Sequence, residues 1–421
     1  MDIEIPKIRL YDDEIIKTCN NILLHNENNI IPYNDSIIIK IRYDIVHRIR
    51  SYIDKLSKKY NIKIDTQGIL TRWLFTQQLI NDGKDLIIPY VKDIDKDGAP
   101  CLYNEILKNF NIDKSIENDT LGESTKTKYV KLSKEISTDI IKYTNNLYKT
   151  KIEPLINKKI NDSYYPLINV IYTNDGAIFK LRNDKFSLLS MYYIKIKSLY
   201  MSNLQYKFNE DKFNEDIFHY KIYLLLNRYE TMLHAGYQVS IPHNLSILLT
   251  TSLGVDTEMF ASPLNCLYQK YYSAYPDVDN CFGSLGSIFK SYKNITSGSF
   301  ESNPPYTEDF MLLNAYIIEY ILNKSENTKK QEPLSFVIIN PNWKDTPSFN
   351  MFIKSKYNRL SNKYLNLKAN KHTYLDGRQY RKKNPYYKSI VGSHIYILQN
   401  NAGSNKWPVT NKLIYNIIKK F

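Results

Sequence analysis

Apolar residues return at three- and four-residue steps through the first part of the chain, the spacing of one face of an α-helix. In Asp44–Ile62 they are Ile45, Val46, Ile49, Ile53, Leu56 and Tyr60, with Lys and Arg between them. Asp65–Ile80 opens on a capping-type residue and repeats the pattern through Ile69, Leu70, Trp73, Leu74 and Leu79, with Asn81-Asp82-Gly83 as a stop. Thr127–Glu153 predicts a further long helix, ended by Pro154. Residues 1–160 therefore read as an α-helical domain.

Beyond it the period shortens. Tyr165–Tyr172 and Ala177–Leu181 alternate in the manner of strands about Asn174-Asp175-Gly176, a hairpin signal. A helical stretch follows over Phe213–Leu233, so residues 161–235 form a hairpin-and-helix lead-in. From 236 to 421 short apolar runs alternate with helical segments: Glu258–Ala261, Gly298–Ser302, Leu334–Ile339 and Ser389–Leu398. Strands interleaved with helices predict an α/β sheet over 161–421, with ligands at the carboxyl ends of its strands.

Composition narrows the partners. The 421 residues carry 57 Lys+Arg against 43 Asp+Glu, a net charge of +14, and 43% of positions are apolar, which excludes a disordered chain. The segment Lys344–Phe421 holds 13 Lys and 3 Arg against only Asp345 and Asp376, so it accounts for the whole net charge. A phosphate-rich ligand near this segment is expected. Arg378, Arg381, Lys382, Lys383 and Lys388 stand there among Tyr380, Tyr386 and Tyr387, cations for phosphates and rings for unpaired bases. A solvated lysine face is the plainer alternative.

Four cysteines, Cys19, Cys101, Cys266 and Cys281, are far apart and the seven histidines are scattered, so no metal site and no disulfide framework is expected. The acidic N-terminus lacks the pattern of a signal peptide, and no apolar run nears the ~20 residues of a membrane span. The expectation is a soluble, intracellular protein, nuclear or cytoplasmic, with no membrane partner.

The sharpest motif is Gly298-Ser299-Phe300-Glu301-Ser302-Asn303-Pro304-Pro305-Tyr306, a strand running into Asn-Pro-Pro-aromatic. Two successive prolines remove two N–H donors and fix φ, keeping the carbonyls of Asn303 and Pro304 out of a regular ladder. An Asn oxygen and a neighbouring carbonyl can accept both hydrogens of a planar amino group while the next ring stacks on its heterocycle. An aromatic amine is a poor nucleophile because its lone pair is delocalised; two acceptors and a stacking ring orient it for attack on a methyl sulfonium. A rigid exposed turn would have the same four letters. Upstream, Phe260-Ala261-Ser262-Pro263-Leu264-Asn265 occupies the turn after a candidate first strand, where small residues admit a cofactor to the backbone.

The blocks VDTEMFASPLNC, YSAYPDVDNCFGSLG, GSFESNPPYTEDFM, LSFVIINPNW and YYKSIVGSHIYILQNNAGSNKW resemble, in order and spacing, the phosphorylated-CTD-interacting-factor family. Weaker likeness reaches RYETMLHAG and LTRWLFTQQLINDG, so it spans about residues 69–407. These are cap-specific adenosine N6-methyltransferases. The resemblance implies a class I (Rossmann-like) S-adenosylmethionine-dependent methyltransferase domain preceded by an α-helical domain. Its implied substrate is capped RNA, methylated at N6 of the first transcribed (2′-O-methyl)adenosine. It further implies that Asn303, Pro304, Pro305 and Tyr306 hold the target adenine, with Tyr306 where the family often has Phe.

By the same likeness Ala261, Ser262, Pro263, Leu264 and Asn265, with Phe282, Gly283 and Ser284, line the S-adenosyl-L-methionine pocket. Asp277 and Asp279 would take its ribose, and Arg72 would contact cofactor or RNA. Residues 1–65 lack the paired tryptophans of a WW domain, so no WW-mediated binding to the polymerase tail is expected. Competing expectations are a DNA adenine or protein-glutamine N-methyltransferase, or a catalytically inactive RNA-binding relative.

Overall fold

The computed structural model describes residues 36–80, 85, 87–92, 99–108, 110, 123–156, 166–207, 213–232, 239–328 and 330–421. They fall into two compact units, one of residues 36–156 and 224–232, the other of residues 166–223 and 239–421. The Asn81-Asp82-Gly83 stop, the N-terminal segment, Cys19 and the Cys101 side chain lie outside what is described.

The first unit is helical: α1 (Ser36–Lys59), α2 (Thr66–Ile80), α3 (Ala99–Lys108) and α4 (Glu123–Leu147). α1 begins eight residues before the expected Asp44 because the buried stripe already runs through Ile38, Ile39 and Arg42. Arg42 holds a core position only because Asp85 pairs with it at 2.8 Å, and the same carboxylate accepts from the N–H groups of Ile87 and Ile88. Trp73 is fully buried, as its place on the α2 stripe predicts. Pro154 does not end the long helix. A π-helical turn at Tyr148–Ile152 follows α4, and Pro154 then falls in the first turn of α5 (Glu153–Ile156), where a missing N–H costs nothing.

The second unit is mixed α/β. β1 (Asn169–Thr173), β2 (Gly176–Leu181) and β3 (Asp184–Leu189) form an antiparallel meander, the first two joined at the expected turn. Then come α6 (Ser190–Lys207), α7 (Glu215–Thr231), which contributes to both units, and α8 (His243–Leu253). The central sheet follows: β4 (Thr257–Ala261), β5 (Lys270–Ser273), β6 (Gly298–Ser302), β7 (Leu334–Pro341), β8 (Leu365–Leu367) and the later strand Ser393–Gln399. Between these last two lies a hairpin of β9 (Thr373–Leu375) and β10 (Tyr386–Lys388), making Ser393–Gln399 β11.

The sheet order is β5-β4-β6-β7-β11-β8, parallel from β5 through β7, with β11 antiparallel to both neighbours. β7 is buried along its whole length, as a strand covered on both faces must be. The sequence-predicted strands correspond to β4, β6, β7 and β11. β11 starts at Ser393 rather than Ser389, since residues 389–392 form the turn out of the basic hairpin.

Asn400 ends β11 and is fully buried. Its Oδ1 accepts from Leu334 N at the start of β7 and from Gly403 N of the next helix. Its Nδ2 donates to Glu332 O and to Ser325 Oγ at the end of the helix Glu308–Glu326. One amide thus ties a helix end to two strands. Asn400→Ala is expected to leave those groups orphaned and to lower unfolding free energy by about 3 kcal/mol, read by urea denaturation; a loss within error of zero would show that water replaces the amide.

Candidate active site

β4, β5 and β6 are parallel neighbours, so their carboxyl ends open on one edge of the sheet. The register pairs Thr257 with Phe300 and Glu258 with Glu301, which brings the loop after Ala261 beside the corner after Ser302. Ala261 also pairs with Ser273 at the end of β5. Three chain segments singled out in the sequence therefore meet at this edge.

The corner begins where β6 ends its pairing at Ser302↔Ile338. Asn303 and Pro304 are buried, while Pro305 and Tyr306 are partly exposed. Thr307 then caps the helix Glu308–Glu326, accepting from Phe310 N. Asn303 Nδ2 donates to the Val239 carbonyl at 3.1 Å. A carbonyl can only accept, so this bond fixes the amide orientation and aims Oδ1 the other way. Oδ1 is buried and has no hydrogen-bond partner. A buried orphan acceptor is costly, and this one can accept a hydrogen bond from a group brought to the corner. Tyr306 donates its hydroxyl hydrogen to Tyr374 Oη at 3.0 Å, and burial raises its pKa well above the ordinary phenol value.

The loop after β4 is held by its own polar atoms. Asn265 Oδ1 accepts from both Ser262 N and Ser262 Oγ at 2.7 Å. Lys195 on α6 donates to Cys266 O at 2.6 Å and reaches Leu264 O at 3.5 Å. Ser262, Pro263, Leu264 and Asn265 are buried; Ala261 is partly exposed. In the third segment, Asp279 accepts from Tyr275 N, the Phe282 carbonyl accepts from Tyr271, and Ser284 Oγ lies 2.6 Å from Ser273 Oγ. Gly283 has φ +89°, and a Cβ there would meet nothing within 4 Å. Asp277 is partly exposed on the short helix Pro276–Asp279.

Two residues join these segments and the sequence reading passed over them. Val239 holds Asn303, and Ser240 donates its hydroxyl hydrogen to Asn265 O at 3.0 Å. Ser240 also exchanges backbone hydrogen bonds with Leu375 of β9, and its Oγ accepts from Gln379, whose Oε1 accepts from Tyr192. No motif marks Val-Ser in a sequence; only tertiary structure gives it this place.

The basic hairpin carries Arg378, Arg381, Lys382, Lys383 and Lys388 around β9 and β10. Lys382 pairs with Asp376, and Lys383 with Asp175 at 2.8 Å. Arg381, Lys382, Lys383 and Lys388 are exposed. Tyr386 is exposed and Tyr387 half-buried, but Tyr380 is buried and cannot stack on a base, a correction to the sequence reading. Arg72 lies in the helical unit, where Glu105 engages its guanidinium and Asp65 stands 4.0 Å away.

Beneath the edge lie the paired Glu258 and Glu301, 3% and 2% exposed. Burial pushes Glu258 up to about 7, against the pull of N–H donors from Leu267 and Tyr268. Burial, then the Glu258 charge, holds Glu301 well above the carboxylate range. Two carboxylates on adjacent strands cannot both ionise cheaply. Glu258, with two donors, is the first of the pair to ionise, above about 7, and Glu301 keeps its proton beyond that. Both glutamates stood inside the quoted motifs, and an acid in a buried strand was the signal available.

Among the described residues no group of His, Cys, Asp or Glu is arranged to hold a metal ion, and no described helix is long and apolar enough to cross a membrane. Burial raises Cys266 to about 11 and Cys281 to about 12, so both thiols stay protonated.

Residues 195–377 match the family model described as "Phosphorylated CTD interacting factor 1 WW domain". Proteins of Homo sapiens and Mus musculus named mRNA (2'-O-methyladenosine-N(6)-)-methyltransferase are each 31% identical over 255 residues, 58% of this chain and 34% of theirs. The chain thus spans about a third of the length of these curated relatives. The similarity to the phosphorylated-CTD-interacting-factor family expected from the sequence blocks holds, and the matched span contains Ala261–Asn265, Phe282–Ser284 and Asn303–Tyr306. Arg72 and the basic residues from Arg378 onward lie outside it. The description names a WW domain, whereas the described residues within the match are mainly helices and strands of the mixed α/β unit, with 224–232 in the helical one.

Because Glu301 keeps its proton in the folded state and an unfolded Glu loses it near 4.5, the native state binds more protons than the unfolded state as pH rises above that value. Stability therefore falls with rising pH through this window. Glu301→Gln should gain thermal stability relative to the parent progressively between about pH 5 and pH 8, followed by scanning calorimetry. Parallel Tm profiles would mean that Glu301 is ionised.

Proposed function

We propose that this relative of the phosphorylated-CTD-interacting-factor family is an RNA adenine N6-methyltransferase that acts on the first transcribed adenosine of capped RNA, with S-adenosylmethionine as methyl donor. The observation that carries the reading is Asn303: a buried amide with one side anchored and its acceptor unspent, followed by two prolines and a pinned tyrosine. The order β5-β4-β6-β7-β11-β8, with β11 reversed, supports a class I methyltransferase sheet, and the helical unit of residues 36–156 supports the preceding domain.

The residues present fit the donor. Gly283 leaves open space where any side chain would intrude, Ala261 offers a small side chain at the edge, and Asp277 supplies a carboxylate for ribose hydroxyls. Asn265, Asp279 and Ser284 hold the loops in shape. When bound, S-adenosylmethionine supplies an activated methyl group.

The chain's own residues do the rest. Asn303 Oδ1 accepts an N–H of the target amine, which holds that hydrogen and stabilises positive charge developing on nitrogen. The Tyr306 ring stacks on the purine and fixes the direction of approach. Pro304 and the buried strand end keep water from the amine. Arg378, Arg381, Lys382, Lys383 and Lys388 bind phosphates of the RNA chain, with Tyr386 exposed beside them for a base.

Recombinant protein with labelled S-adenosylmethionine should methylate RNA carrying a 7-methylguanosine cap and a first adenosine, and leave uncapped RNA, duplex DNA and protein glutamine unlabelled. Equal labelling of capped and uncapped RNA rejects the cap-specific part. Asn303→Ala should lower kcat by at least about 100-fold with an unchanged melting profile; near-parental turnover removes Asn303 from the chemistry.

A further inference from the structure

Behind Tyr306 runs a line of buried hydroxyls that no step above uses. Tyr306 Oη meets Tyr374 Oη at 3.0 Å, Tyr374 Oη meets Ser393 Oγ at 2.8 Å, and Ser393 Oγ meets His372 Nε2 at 2.9 Å. The other imidazole nitrogen, Nδ1, lies 3.1 Å from the Lys368 carbonyl. Tyr374, Ser393 and His372 are each at most 2% exposed. The rings of Tyr374 and Phe421 pack edge-on to the imidazole at 5.4 and 5.6 Å.

The direction of every hydrogen in this line follows from its far end. A carbonyl cannot donate, so Nδ1 of His372 carries the hydrogen. Burial favours the neutral imidazole, which makes Nε2 an acceptor. Ser393 must then donate to Nε2, which commits its one hydrogen and leaves its oxygen to accept from Tyr374. Tyr374 in turn has no hydrogen left for Tyr306, so the Tyr306 hydroxyl donates inward. The Tyr306 oxygen can therefore meet a ligand only as an acceptor.

We infer that His372, Ser393 and Tyr374 are positioning residues for Tyr306: a one-way hydrogen-bond relay that pins the ring at its hydroxyl end and commits its hydrogen away from the bound base. A phenol tethered at both backbone and hydroxyl holds one plane, so the stacked base has one line of approach. The role in base positioning rests on the proposed function; the direction of the relay rests on Lys368 and His372 alone.

Two measurements separate the two. Nitrogen–proton correlation NMR of the full chain at neutral pH should show His372 as the Nδ1–H tautomer; the Nε2–H tautomer overturns the relay whatever the protein methylates. In steady-state assays on capped RNA, Tyr374→Phe should lower kcat about tenfold in the parent. In a Tyr306→Phe background the same change should move kcat less than about twofold, because the hydroxyl it would orient is gone. Equal losses in both backgrounds overturn the positioning role. His372→Gln, which keeps an acceptor for Ser393, should retain more turnover than His372→Leu, and equal turnover in the two counts against the relay. If the parent labels no adenosine, the proposed function fails while the tautomer still decides the relay.

Discussion

The parallel pairing of β4 with β6 is the constraint from which the site follows. It is made at Thr257↔Phe300 and Glu258↔Glu301, and it sets the turn after Ala261 against the corner at Asn303. Side chains opposite one another in a parallel pair project to the same face, so the register that joins the two loops also forces two glutamates together. A slip of β6 by one residue would send Glu301 to the face opposite Glu258 and turn Asn303 away from Val239. The buried carboxyl pair is thus the electrostatic cost of the alignment that the site needs, met by keeping Glu301 protonated and placing two backbone N–H groups on Glu258.

Several polar groups in this half of the sheet hold its loops in place. Lys195 holds a loop through two carbonyls, Asn265 closes that loop on Ser262, and Ser273 and Ser284 lock the neighbouring strand end. The Asn303 oxygen combines burial, a direction fixed by the bond to Val239 and a place beside the turn after Ala261. A rigid surround keeps an unsatisfied atom in place, since a mobile amide would turn and find a partner of its own.

Much of this was legible in the chain. The 3.6-residue stripes gave α1 and α2, the DG turn gave the first hairpin, and the apolar runs gave the four sheet strands that matter most. The Asn-Pro-Pro-Tyr corner declared itself because proline chemistry is local. What stayed hidden depended on distance in sequence. Pro154 reads as a terminator in the sequence because a π turn, which resets where a proline fits, leaves no pattern in the letters. Tyr380 looked like a stacking ring because its neighbours are charged, yet it faces inward. Val239, Ser240, Tyr374 and His372 are ordinary residues whose roles come only from what folds against them.

The Ser240 junction also bears on how the molecule could be recombined. Its hydroxyl group is shared between the turn that follows β4 and Gln379 in the middle of the basic hairpin. A chimera that imports a hairpin from another protein would keep the host's turn in register only if the donor sequence brought an amide at the place of Gln379. The hairpin and the turn are interchangeable parts only as a matched pair.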